Sequence, residues 1–288
     1  MPFGIALAGG GARGAAHVGV LLALEENGLF PVSAAGTSAG GIVAGLYASG
    51  LGGKDLKKLV FDAAKNGSSA ADPDLKGIFT LIPGLLLHRS GTFPGLLKGN
   101  RLEKVLRNLT AGKAMRQASM KIIIPAVDLN TGQTIAFTDS LSGVSFVRRV
   151  RWQSGVLLCE AMRATSAVPV VFRPKTIGNL CLVDGGAADV LPVDLLIAAG
   201  EKNVLAVDVS EDYRMPKRYN LIDVAFHSLA VTQTRLRECV VHGEKFLLHP
   251  SLPESAGLFS LGDMPEYMEA GYRAAKHAMP TLKRLFGA

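Results

Sequence analysis

The stretch Gly36-Thr37-Ser38-Ala39-Gly40 follows a short apolar run at residues 32–35 and opens a helical pattern. A small residue on each side of a serine, between a strand and a helix, allows the sharp turn that exposes a nucleophilic hydroxyl. Ser38 is therefore the first catalytic candidate, and Gly36 and Gly40 are the glycines of its turn. The same pattern also arises by chance in a chain with 33 glycines, so the assignment depends on the rest of the sequence.

A second glycine cluster, Gly9-Gly10-Gly11-Ala12-Arg13-Gly14, lies between an apolar run at residues 3–8 and a helical pattern at 15–27. Ester hydrolysis places negative charge on the former carbonyl oxygen, and a glycine-rich turn at a helix N-terminus can aim backbone N–H groups at it. One such donor is worth about 100-fold to 1000-fold in rate. This loop therefore offers the stabilisation that a serine nucleophile needs.

The same cluster also fits the dinucleotide-binding pattern G-x-G-x-x-G through Gly9, Gly11 and Gly14. That function requires an acidic residue about 20 positions further on, where it holds the ribose. Residues 30–36 contain no Asp or Glu, and no Gly-Lys-Ser or Gly-Lys-Thr of a phosphate-binding loop follows the glycines. Nucleotide binding is thus disfavoured.

A nucleophilic serine needs a base, and Asp184 is the best-placed carboxylate. It ends the apolar run at residues 180–183 and precedes the turn pair Gly185-Gly186. The ends of strands in parallel sheets are where catalytic groups gather, so we expect Asp184 at the same sheet edge as Ser38. The alternative is that Asp184 only forms an Asx-turn, as any Asp-Gly pair can.

Together, the motifs at 9–14, 36–40 and 184–186 resemble the patatin-like phospholipase family in their order and rough spacing. The segment Ala-Thr-Ser-Ala-Val-Pro at residues 164–169 also looks like the family's segment leading to its catalytic aspartate. The resemblance covers about residues 3–210, is nearest to the compact bacterial members, and is far more specific than any single motif.

The resemblance implies an α/β fold, a three-layer α/β/α sandwich with a mainly parallel central sheet. It also implies a serine acyl hydrolase that cleaves acyl esters of phospholipids, lysophospholipids and neutral lipids through a Ser-Asp dyad, without histidine, metal or cofactor. The resemblance assigns Ser38 as the nucleophile and Asp184 as the base. It implies that the oxyanion site is formed by the amides of Gly9, Gly10, Gly11 and Ala12, in a loop shaped by Arg13 and Gly14. Gly36 and Gly40 are then the glycines beside the nucleophile, and Gly185 and Gly186 form the aspartate turn.

Three alternatives stay open. An acyltransferase would use the same nucleophile with a different acceptor, and a binding or regulatory protein would keep the fold without using the activity.

A Ser-Asp-His triad, the third alternative, would draw on the histidines after Asp184. Its usual fold builds several strands before the nucleophile, whereas only 37 residues precede Ser38, so the triad is disfavoured. The histidines concerned are His227, His242, His249 and His277.

Length, cysteine usage and the start of the chain indicate a single cytoplasmic domain over residues 1–288. The motifs occupy a core at about 3–210, and a helical part follows at about 215–288. Three cysteines form neither a paired framework nor a metal-binding pattern. The N-terminus shows no basic region of a signal peptide, and no apolar run is long enough to span a bilayer.

The chain carries 31 Lys and Arg against 24 Asp and Glu, a formal charge of +7, with 48% hydrophobic residues. That balance suits peripheral, transient contact with an anionic lipid surface. Nucleic acid is disfavoured as a partner, because 6% aromatic residues leave little for base stacking and no recognised motif is present. The apolar segment at residues 78–97 is predicted as a lid over an acyl chain or as an ordinary core segment.

Apolar periodicity predicts further elements along the chain. Residues 121–127 form a run typical of a buried parallel strand, with a hairpin partner at 133–138. The remaining predictions are strands at 180–183 and 204–209, helices at 101–109, 155–163, 192–199, 221–242 and 265–286, and an extended segment at 166–174.

Overall fold

A computed structural model of the chain describes residues 1–66, 72–73, 96–210, 221–240, 243–253, 257 and 260–287. The strands of these residues are β1 Gly4–Leu7, β2 Ser33–Gly36, β3 Lys121–Asp128, β4 Gln133–Thr138, β5 Val150–Gln153, β6 Lys175–Ile177, β7 Leu180–Asp184, β8 Val204–Val207 and β9 Phe246–Leu248. The α-helices are α1 Ala15–Glu26, α2 Ala39–Ala48, α3 Gly53–Asn66, α4 Asn100–Leu109, α5 Leu158–Thr165, α6 Val193–Ala198, α7 Leu221–Val240 and α8 Met264–Phe286.

The strands form one mainly parallel sheet in the order β5-β4-β3-β2-β1-β8-β9. Strands β3, β2, β1, β8 and β9 run parallel to one another along this path. Strand β4 pairs antiparallel with β3 and parallel with β5. Strand β7 also pairs antiparallel with β3, and β6 pairs antiparallel with β7. The expected hairpin of β3 and β4 is confirmed.

Helices cover both faces of the sheet. Side chains alternate between the faces along a strand, so Ile5 and Leu7 of β1 belong to one core while Ala6 belongs to the other. The first core contains buried residues of α1, α2, α3, α4, α5 and α8, and the second contains those of α6. The expected three-layer α/β/α architecture is confirmed.

Some expected boundaries were wrong. The helix expected at 155–163 begins at Leu158, because Gly155 has a φ of 85° and Leu157 is extended. The segment 166–174, expected to be extended, contains a turn in which Val170 has a φ of 72°. Most of the apolar segment 78–97 lies outside the described residues.

No helix within the described ranges combines the length and the apolar character that crossing a bilayer requires.

Helix α8 packs against α1 through two glycines. A Cβ at Gly19 of α1 would overlap the carbonyl oxygen of Met268, and a Cβ at Gly271 of α8 would overlap that of Ala16. The two backbones therefore approach more closely than any side chain allows. Since α1 follows the glycine loop directly, this contact ties the C-terminal helix to the segment that carries the loop.

Replacing Gly271→Ala should lower the free energy of unfolding by about 1–3 kcal/mol, the usual range for overpacking. The control is Gly262→Ala, because the Cβ would enter open space there. Urea denaturation followed by circular dichroism measures both variants. Equal stability of the two variants would contradict the close backbone contact.

Candidate active site

Ser38 sits in a strained turn between β2 and α2. Its φ is 54° and its ψ is −121°, a conformation that non-glycine residues rarely adopt. The flanking glycines are required by space, because a Cβ at Gly36 would overlap the carbonyl of Gly40, and one at Gly40 would overlap that of Leu7. The turn therefore holds the Ser38 side chain at the N-terminus of α2.

Asp184 reaches Ser38 from the opposite direction. Strand β4 occupies one edge of β3, so β2 and β7 share the other edge. The β2 pairing ends at Ala35 opposite Ile123, and the β7 pairing ends at Asp184 opposite Ala126. The two strands point at each other, and only residues 124 and 125 of β3 lie between their pairings. Strand β7 runs antiparallel to β3, so Asp184 approaches Ser38 from the end of an antiparallel strand.

The two side chains are in direct contact. The Ser38 hydroxyl donates to Oδ2 of Asp184 at 2.6 Å, across 146 residues of sequence. Oδ1 of Asp184 accepts the N–H of Gly186 at 2.7 Å, so the Asx-type turn forms as well and uses the other oxygen. The short distance leaves no room for an imidazole between serine and carboxylate. The serine hydroxyl and the carboxylate are therefore paired directly.

Burial controls the electrostatics of this pair, since Ser38 is 8% exposed and Asp184 is 4% exposed. Loss of hydration raises the pKa of Asp184 from 3.8 to about 6, against the opposing effect of the hydrogen bonds from Ser38 and Gly186. The carboxylate is thus mostly ionised at neutral pH, and it is a stronger base than an exposed aspartate.

The glycine loop forms a 3-10 turn, Gly11–Gly14, immediately before α1. Both the N–H and the Nε of Arg13 donate to the carbonyl of Gly10, at 3.1 and 3.3 Å. Arg13 therefore supports the shape of the loop. A Cβ at Gly14 would lie 2.6 Å from Cβ of Ala39, so this glycine lets the loop pack against the start of α2.

The loop does not offer every amide that the sequence analysis assigned to the oxyanion site. The N–H of Gly9 donates to the carbonyl of Val190 at 3.0 Å, so the inclusion of Gly9 was wrong. The first N–H groups of a helical turn have no partner within that turn. The amides of Gly10, Gly11 and Ala12 are in that position, and they are the remaining candidates.

Two residues that the sequence analysis did not assign also contact this site. Oγ1 of Thr165, a fully buried side chain at the end of α5, accepts the N–H of Ser38 at 2.9 Å. Nε2 of Gln233 on α7 donates to the carbonyl of Gly186 at 3.1 Å. Thr165 lies within the Ala-Thr-Ser-Ala-Val-Pro segment, whereas no motif surrounds Gln233.

The histidine side chains in the described part of the chain make other contacts. His17 is fully buried, its Nε2 hydrogen-bonds to the carbonyl of Ala8 at 2.8 Å, and burial lowers its pKa to about 4. Nδ1 of His249 lies 3.7 Å from Asp208, and His277 is exposed on α8. The side chain of His227 and the whole of His242 lie outside the described residues.

Within the described ranges, no group of three or more His, Cys, Asp or Glu side chains is arranged to hold a metal ion.

The sequence of this chain matches known proteins. The sequence model of the patatin-like phospholipases matches residues 5–197. An uncharacterized NTE family protein of Mycobacterium tuberculosis is 28% identical over 214 residues, which are 74% of this chain and 51% of that protein. The mouse patatin-like phospholipase domain-containing protein 6 is 28% identical over 205 residues, 71% of this chain and 13% of that protein. The chain thus spans about half the length of the mycobacterial relative.

Two solved structures share the fold. Human GIVD cytosolic phospholipase A2 superposes with a TM-score of 0.53 at 13% identity, over 99% of this chain and 60% of that chain. VipD from Legionella pneumophila gives a TM-score of 0.50 at 14% identity, over 97% and 67% of the two chains. At this identity the likeness extends to the fold alone.

Replacing Thr165→Val should lower the free energy of unfolding by about 1–3 kcal/mol, because it leaves the buried N–H of Ser38 without an acceptor. The control is Thr110→Val, another buried threonine at the end of a helix, whose hydroxyl donates to carbonyls of its own helix. We expect a smaller loss there. Urea denaturation measures both, and an equal loss would contradict a specific role of the Thr165 hydroxyl.

Proposed function

This chain belongs to the patatin-like phospholipase family, and we propose that it is a serine acyl hydrolase cleaving fatty-acyl esters through Ser38 and Asp184. The observation that carries the proposal is the 2.6 Å hydrogen bond from the Ser38 hydroxyl to the buried Asp184 carboxylate. The family supports lipid hydrolysis as the general activity. The ester class and the dyad are our inference.

In the proposed reaction, Oγ of Ser38 attacks the ester carbonyl carbon while Oδ2 of Asp184 takes the hydroxyl proton. The carbonyl oxygen becomes negatively charged and accepts hydrogen bonds from the amides of Gly10, Gly11 and Ala12. When the intermediate collapses, the alcohol leaves with the proton from Asp184. Water then attacks the acyl-enzyme, Asp184 accepts its proton, and release of the fatty acid returns that proton to Ser38.

Two local features support Ser38 as the nucleophile. It precedes the first residue of α2, where the positive end of the helix dipole favours developing negative charge. Its own N–H is engaged by Thr165 and is unavailable to an oxyanion, so that stabilisation falls to the glycine loop. A carboxylate is a weak base for a hydroxyl, and the mechanism therefore depends strongly on the loop amides.

Lipid esters are the substrate class that we propose. The family name and the basic, apolar composition both agree with acyl chains presented at an anionic lipid surface. Transfer of the acyl group to an alcohol would use the same first half-reaction. No contact in the described residues favours an alcohol acceptor over water, so hydrolysis is the activity we put forward.

Ser38→Ala should abolish hydrolysis of p-nitrophenyl butyrate, because no nucleophile remains. Asp184→Asn should reduce kcat by about 100-fold to 10,000-fold, the usual contribution of a general base. The matched control is Ser49→Ala, a buried serine at the other end of α2 whose hydroxyl bonds to Leu46. The control should retain wild-type kcat. Full activity of Ser38→Ala would remove the proposed nucleophile.

The dependence of kcat/KM on pH should show an acid limb near pH 6, because burial raises the pKa of Asp184 to about 6 and only the ionised carboxylate accepts a proton. Activity should be constant above the pKa and fall about tenfold per pH unit below it. Samples returned from pH 5 to pH 8 should recover full activity, which separates titration from unfolding. A limb near pH 4 would contradict a carboxylate perturbed by burial.

A further inference from the structure

Helix α7 reaches the turn that carries Asp184, although it lies beyond the residues matched by the family. Nε2 of Gln233 donates to the carbonyl of Gly186 at 3.1 Å. The N–H of the same glycine donates to Oδ1 of Asp184 at 2.7 Å. Gly186 thus connects the side-chain amide of Gln233 to the Asp184 carboxylate, which contacts Ser38.

We propose that Gln233 is a positioning residue that fixes the aspartate turn and thereby the carboxylate of Asp184. This inference rests on the proposed function, since a carboxylate needs fixed geometry only if it accepts the serine proton. Gln233 does not touch Ser38 or the reacting atoms. It acts through Gly186.

The aspartate turn is enclosed from two sides. A Cβ at Gly185 would lie 2.5 Å from the carbonyl oxygen of Pro125 on β3. A Cβ at Gly186 would lie 2.8 Å from Nε2 of Gln233 and 3.0 Å from Oδ1 of Asp184. The turn therefore lies between β3 and the Gln233 side chain. Removing Gln233 frees one side of it, and Oδ1 of Asp184 then loses a fixed donor.

A neutral amide suits this position chemically. A Lys or Arg side chain here would add positive charge near Asp184, lower the pKa of its carboxyl and weaken it as a base. An ionised Glu side chain has no proton to donate, and it would repel the carboxylate. Gln supplies a directed hydrogen bond without a charge, so the turn is held while the basicity set by burial is kept.

The test uses the full chain with Gln233→Met, which keeps the side-chain length and loses the donor. We expect kcat to fall about fivefold to tenfold, the effect of losing one hydrogen bond, with KM unchanged. The acid limb of kcat/KM should move to higher pH, because a loosened Gly186 N–H stabilises the ionised carboxylate less. Labelling with a fluorophosphonate counts active sites, so that misfolded protein does not lower the measured kcat.

Two further variants keep the result interpretable. Gln233→Ala removes the same donor with the best helix-forming residue and should give the same change in kcat and pH profile. Thr232→Ala, an exposed neighbour whose hydroxyl bonds within α7, should match wild type. Wild-type kinetics in both Gln233 variants would overturn this inference alone. An inactive, unlabelled wild type would instead overturn the proposed function.

Discussion

Two strands that run in opposite directions, β2 and β7, pair with the same edge of strand β3, and the candidate site forms where their ends meet. The pairing of β2 ends just before the turn of Ser38, and the pairing of β7 ends at Asp184. Only two residues of β3 lie between the two pairings. Hydrogen bonding to β3 fixes the position of each strand end along β3. The contact between Ser38 and Asp184 therefore follows from the backbone register of the sheet.

Unfavourable local features are concentrated at this meeting point. Ser38 has a positive φ, and Asp184 is a carboxylate with almost no contact with water. Each costs stability in isolation. The surrounding contacts offset these costs: Thr165 accepts the serine N–H, and Gly186 and Ser38 donate to the two carboxylate oxygens. A buried, hydrogen-bonded carboxylate against a hydroxyl is well arranged for proton transfer.

Much of this could be predicted from the sequence, because each glycine motif determines its own local turn and apolar periodicity determines the long helices and buried strands. The proximity of Ser38 and Asp184 followed from recognising three motifs together. The direction of β7 was missed, since periodicity carries no information about strand pairing. The hydrogen bond from Gly9 to Val190 and that from Gln233 to Gly186 join segments that are distant in sequence, and no local sequence pattern predicts them. Strands β6 and β9 have three residues each, too few for a periodic signal.

In the proposed mechanism, the turn of Ser38, the aspartate turn and the glycine loop act on one carbonyl group. A crystal structure of the protein inactivated with a fluorophosphonate tests this arrangement, because the phosphonyl group mimics the charged intermediate. We expect electron density continuous with Oγ of Ser38 and a phosphonyl oxygen within hydrogen-bond distance of the amides of Gly10, Gly11 or Ala12. An adduct on another residue, or a phosphonyl oxygen that contacts none of those amides, would contradict it.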